Sequence, residues 1–110
     1  MRFVPDAARA LAEARRRGAV AHLVGPVTSK ADAVGAIGTA LSFPAWYGRN
    51  LDALYDCLMD LSWLPDGEHV LIWAGHRALE AADPEAYRAV LAVLTAATTA
   101  SPLSVLLADT

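Results

Sequence analysis

The sequence predicts an α/β fold: a small three-stranded parallel sheet packed with helices, preceded by one extra helix at the N-terminus. Three observations lead there. Short apolar runs rich in valine, leucine and isoleucine occur at 19–24, 70–73 and 103–107. The stretches between them carry apolar residues at helical spacing. Each connection is well over a dozen residues, as the crossovers of parallel strands require. The 110 residues make one domain, and with 55% of them hydrophobic and 19% charged the chain can bury a core without metal or disulfide staples.

The elements follow in order. Between Pro5 and Arg17, Ala7, Leu11 and Ala14 fall on one stripe, with proline before it and Gly18 after it. That is a short helix of weak apolar character, and residues 1–18 read as a helical appendage to a main domain at 19–110. Ala19 to Val24 is a strand closed by Gly25-Pro26. Ser29 stands three residues before Asp32, a capping spacing, and Ala33, Val34, Ile37, Ala40 and Leu41 continue a helix that Gly35 and Gly38 weaken.

Ser42-Phe43-Pro44 ends that helix, since a proline drives the residue before it out of the helical region. An aromatic loop follows. Asn50 is a natural N-cap, and Leu51, Leu54, Leu58 and Leu61 form the apolar stripe of the next helix. Pro65-Asp66-Gly67 is a turn into the strand Val70 to Trp73, which ends before Gly75. Asp83-Pro84-Glu85 supplies a cap, a first-turn proline and a first-turn acid for a long helix with Tyr87, Val90, Leu91, Leu94 and Ala97 on one face. Leu103 to Leu107 is the last strand.

Composition excludes several function classes. The single cysteine, Cys57, has no partner for an internal bridge, and it falls beside the leucine stripe as a small hydrophobe; both fit a reducing, cytoplasmic setting. The apolar runs are far short of the roughly 20 residues that cross a bilayer, and the first residues alternate charge with alanine, so neither a membrane anchor nor an export signal is expected. No glycine-rich phosphate loop, nucleophile elbow, HExxH pair or CxxC is present, and His22, His69 and His76 are spread over separate elements. The expectation is no catalytic centre, no metal and no cofactor, with structural histidines; His76 beside a carboxylate is the one place where acid–base chemistry stays open.

Charge is unevenly distributed. Residues 1–41 carry a net +3, residues 42–68 a net −4, and 69–110 a net −2. An acidic centre points away from nucleic acid and toward a basic partner. The run Arg15 to Arg17 lies at a helix C-terminus, where cations oppose the macrodipole.

Within the acidic centre, Asp52, Asp56 and Asp60 recur every fourth residue and make one stripe on the helix face away from the leucines. Like charges at this spacing repel by a few tenths of a kcal/mol, and Asp60 lies toward the negative end of the helix, so stability alone does not choose the pattern. Tyr55 and Met59 border it. Spacing leaves two readings open, a binding face and a solvated face with one acid too many. Trp46 and Tyr47, between Pro44 and Gly48, sharpen the choice: no periodicity calls for two large rings there, and at least one is expected in solvent, beside the acids, as in an interface hot spot.

The run Phe43-Pro44-Ala45-Trp46-Tyr47-Gly48-Arg49-Asn50-Leu51-Asp52-Ala53-Leu54-Tyr55-Asp56-Cys57-Leu58 resembles the signature of the barstar family, small intracellular inhibitors of secreted ribonucleases. The resemblance is specific over Phe43 to Leu58 and consistent in element order from Ala19 to Ala108. It implies a three-stranded parallel sheet and an inhibitor rather than an enzyme, monomeric when free. Its helix would plug the active-site cleft of a basic secreted or toxin-type ribonuclease, with no direct contact to nucleic acid or membrane. Asp56 would stand in place of a substrate phosphate, joined by Asp52, Trp46, Tyr55 and the loop residues Gly48 and Asn50. Tyr47, Met59 and Asp60 complete the expected partner-binding set. The chain departs from the family pattern at three places: Arg49 is a cation within the loop, Met59 and Asp60 replace small residues, and no acid lies near Ala96. The alternative function is an interaction module on the same scaffold whose partner is not a nuclease.

Overall fold

Nine elements follow one another in the computed structural model, which describes residues 1–110. They are β1 (Arg2–Val4), α1 (Ala7–Arg16), β2 (Val20–Val24), α2 (Lys30–Ala40), α3 (Leu51–Asp60), β3 (His69–Ala74), α4 (Arg77–Ala82), α5 (Pro84–Thr98) and β4 (Leu103–Ala108). The sheet has the order β1-β4-β3-β2, with every neighbouring pair parallel. This corrects the expected three strands to four. Arg2, Phe3 and Val4 pair with Leu106, Leu107 and Ala108, so the first residues of the chain complete the sheet beside its last strand.

Successive residues of a strand face opposite sides, and β3 is buried on both. Leu71 and Trp73 join the larger core with Val34, Ile37, Leu54, Leu58, Val90 and Leu94, beneath the layer of helices that follows β2. Val70 and Ile72 face the other way and meet Ala7, Ala10 and Ala14 of α1. The buried side chains of α1 in this cluster are alanines, and Leu11 packs partly buried against it. Asp6 caps α1, its carboxylate accepting from the Ala8 amide at 3.0 Å. At the other end Arg17 forks onto Glu68 at 2.9 to 3.1 Å, an exposed pair that contributes little by itself but gives the arginine run a local partner.

The expected caps are made: Ser29 Oγ accepts from the Asp32 amide, Asn50 Oδ1 from Ala53 and Asp83 Oδ1 from Ala86. The short helix α4 has no such signal. His76, its N-cap, makes no side-chain cap hydrogen bond, and six residues are too few to show a period.

Two of the three histidines meet. The β2–β3 register places His22 beside Leu71 and His69 beside Val20, and His22 Nε2 lies 2.9 Å from His69 Nδ1. The outer nitrogens face carbonyls, His22 Nδ1 that of Ala40 at 3.0 Å and His69 Nε2 that of Pro65 at 2.6 Å. The row thus connects the end of α2 to the turn after α3. His76 is fully buried; Nδ1 shares a hydrogen bond with the Tyr87 hydroxyl across 2.6 Å, and Nε2 lies 3.5 Å from Asp109.

Burial holds both His22 and His76 below the ordinary histidine value, against the hydrogen bond to the Ala40 carbonyl at the first; at the second the charge of Arg77 adds to burial against the pull of Asp109. A depressed folded-state pKa means that the unfolded chain binds more protons, so this contribution to stability is complete above the unfolded value of about 6.5 and is lost as pH falls below it. The urea midpoint is therefore expected to drop between about pH 7.5 and about pH 5, and to drop less in His76→Phe. A wild-type midpoint constant over that interval would contradict the lowered values of His22 and His76.

Candidate functional site

The site is built on α3 and the ten residues before it. Leu54, Cys57 and Leu58 are buried, each leucine contributing about 1.5–3 kcal/mol by leaving water. The burial of Cys57, with Asp56 and Asp60 nearby, pushes its thiol pKa up, as befits the small hydrophobe expected there. Fixing that face against the core turns the opposite one outward. Asp52, Asp56 and Asp60 are all exposed, and none of them takes part in any of the molecule's five ion pairs. α3 ends at Leu61, which adopts a left-handed conformation (φ 48°) with its amide on the Cys57 carbonyl.

The loop is held from below. Tyr47 packs edge-on against Phe43 with ring centres 4.7 Å apart, and Phe43 packs edge-on against Trp63 at 5.7 Å. The Trp63 indole donates to the Leu41 carbonyl at 2.9 Å, tying the segment's two ends together, and the Tyr47 hydroxyl donates to the Val34 carbonyl at 3.2 Å. Burial raises the Tyr47 phenol to about 12. Gly38 of α2 is what admits the ring: a Cβ there would sit 2.7 Å from Tyr47 Cε2. The residue that weakens α2 as a helix is therefore the seat of the loop.

With Tyr47 turned inward, Trp46 is left on the outside, 71% exposed, and Tyr55 and Met59 are 39% and 41% exposed along the same helix as the acids. Eight of the nine expected contact residues (Trp46, Gly48, Asn50, Asp52, Tyr55, Asp56, Met59 and Asp60) are exposed, and Tyr47 is half-buried beneath them. What the spacing of the sequence did not reveal is the neighbour on the other side: the first turns of α2, with Lys30, border the start of α3 across a groove.

An exposed row of free carboxylates flanked by aromatic and thioether groups is suited to holding a cationic protein surface through charge-assisted hydrogen bonds. The family model described as Barstar (barnase inhibitor) matches residues 19–107. The chain belongs to the barstar family. Members of that family are inhibitors rather than enzymes. No curated protein matches the sequence. Among solved structures, a chain in "Structure of Drosophila ORC bound to AT-rich DNA and Cdc6" is similar, with 17% identity and a TM-score of 0.54 over 97% of this chain and 38% of that one. That likeness concerns the fold alone, and the present chain spans less than two fifths of the larger one. The barstar match begins at Ala19, so β1 and α1 lie outside it. No helix of this barstar-family protein is long and apolar enough to cross a membrane.

Proposed function

We propose that this protein is an inhibitor, or immunity protein, of a basic microbial ribonuclease of the secreted or toxin type, acting in the cytoplasm as a monomer that occludes the enzyme's active site with α3 and its preceding loop. The observation that carries this reading is the row of unpaired, exposed Asp52, Asp56 and Asp60 beside exposed Trp46, Tyr55 and Met59. Ribonucleases hold phosphate with cationic side chains. A carboxylate fixed on a rigid helix can enter such a cluster with little loss of side-chain entropy, while the rings exclude water around it. Asp56, mid-row, takes the place of the substrate phosphate, with Asp52 one turn before it; Gly48 and Asn50 present loop backbone, and Tyr47 supports Trp46. Neither RNA nor a lipid surface is contacted.

Titration into barnase and other basic microbial ribonucleases, with residual RNA hydrolysis as readout, tests the proposal: activity should vanish at equimolar inhibitor for the cognate enzyme. If no such enzyme is inhibited or bound, the second reading, an interaction module with a non-nuclease partner, takes its place; Arg49 in the loop and the absence of an acid around exposed Ala96 are the features that favour it. Electrostatic steering adds a kinetic expectation. Salt limits the reach of these carboxylates to about 8 Å at physiological ionic strength, so the association rate should fall steeply as salt is raised while dissociation changes little. An association rate indifferent to salt would remove steering from the mechanism.

A further inference from the structure

The binding surface is acidic along α3 but not beyond it. Between the first turns of α2 and α3 lies a groove of about 430 Å³ lined by Lys30, Ala31, Val34, Arg49, Leu51 and Asp52, among others. Its two cations are free: neither Lys30 nor Arg49 has an acidic partner within 4.0 Å, although Asp52 borders the same groove. Local stability does not account for them. Each stands at the start of a helix, where the positive end of the macrodipole disfavours a cation, and Arg49 is held at φ 53°, a left-handed conformation that a residue with a Cβ adopts at a cost. Both are exposed, while Val34 and Leu51 give the groove apolar walls that strengthen any ion pair formed between them.

We infer that this groove is a carboxylate subsite, receiving an aspartate or glutamate side chain from the surface of the inhibited ribonuclease. The inference rests on the ribonuclease-inhibitor reading and adds specificity to it. The interface becomes two-signed, with the α3 acids directed to the enzyme's cationic centre and Arg49 and Lys30 directed to an acid on its rim. Arginine's fork matches a carboxylate in two parallel hydrogen bonds, and lysine adds a second, adjustable charge. An enzyme lacking an acid at that spot leaves two cations desolvated and unpaired, which penalises the wrong partner.

Two measurements test this. Arg49→Glu and Lys30→Glu each make the inhibitor more negative, so steering toward a basic enzyme predicts equal or faster association. A lost subsite contact predicts instead that dissociation speeds up, by about tenfold or more for Arg49→Glu, and that affinity falls despite the added negative charge. Affinity unchanged or improved in both variants would overturn the subsite. The second measurement uses the free protein: N-acetylglutamate amide titrated at low salt should shift the amide resonances of Arg49 and Leu51 saturably. N-acetylglutamine amide should not, and the double variant Lys30→Gln/Arg49→Gln should not respond. Absence of a saturable shift, or an equal response to inorganic phosphate, would overturn the carboxylate assignment. Should the wild-type protein bind no basic ribonuclease, that reading fails by itself, and the amide titration still decides the groove.

Discussion

Asp56→Ala is expected to weaken binding of the cognate ribonuclease by about 2 to 5 kcal/mol, chiefly through faster dissociation. Asp56 is the middle of the three exposed carboxylates, with Asp52 a turn before and Asp60 a turn after, and Tyr55 adjoins it. Truncating it inside a formed interface leaves the enzyme's cationic cluster buried without its counter-charge, and that desolvated charge is the larger part of the loss. The fold should not suffer, because Asp56 is in no ion pair and its removal relieves repulsion between acids four residues apart. Asp60→Ala, toward the end of α3 before Leu61 turns the chain, is expected to cost much less. Both variants are to be titrated against one enzyme after circular dichroism has established that each is folded. A larger loss for Asp60→Ala would move the centre of the interface to the C-terminal end of α3 and withdraw the role given to Asp56.

A chain beginning at Gly18 is expected to lose about 3 to 6 kcal/mol of stability, estimated from the re-exposure of Val70 and Ile72 alone at about 1.5–3 kcal/mol each. These two residues are fully buried against α1, and Ala108, also fully buried, shares that core. The truncation also unpairs β4 along its outer edge and removes the bonds from the Ala7 amide to the Thr110 carbonyl and from the Asp109 amide to the Val4 carbonyl. Against a total of about 5–15 kcal/mol for an ordinary domain, such a loss leaves a marginal fold. We propose that residues 1–18 are nonetheless an appendage in function. The acidic row and the aromatic loop lie on elements packed against the opposite face of the sheet, so the truncated chain, studied where it is folded, should bind with unchanged affinity. Urea unfolding tests the first expectation and enzyme titration the second; unaltered stability would mean that α1 contributes nothing to the core, and weakened binding by folded protein would place part of the interface in the first 18 residues.

The sequence carried the elements whose signals are local. Helices α2, α3 and α5 announce themselves through Ser29, Asn50 and Asp83, whose side chains do cap them, and β3 and β4 through apolar runs too short for helices. The acidic stripe was legible for the same reason, since spacing along a helix is geometry. β1 was not legible, because three residues beginning with arginine have no strand signature and their partner lies at the other end of the chain. α4 offered neither cap nor period. The Tyr47 seat needs Gly38 placed beneath it, the His22–His69 contact needs the β2–β3 register, and the Lys30–Arg49 groove needs α2 set beside α3. None of these follows from spacing along the chain.

The pairing of β1 with β4 also has a consequence for synthesis. β1 takes its place in the sheet only beside β4, which separates it from β3, so neither β2 nor β3 can serve as its template. A nascent chain extended past β3 but short of β4 therefore holds an unpaired β1 and a β3 bare along the edge that β4 will occupy. Closing a loop of nearly the whole chain is an entropically slow step, and a chain terminated before Leu103 lacks the strand that joins the two halves of the sheet. The complete four-stranded sheet is thus expected to form only once β4 has been synthesised and docked, and the docking of β4 sets the lag between translation and a finished fold.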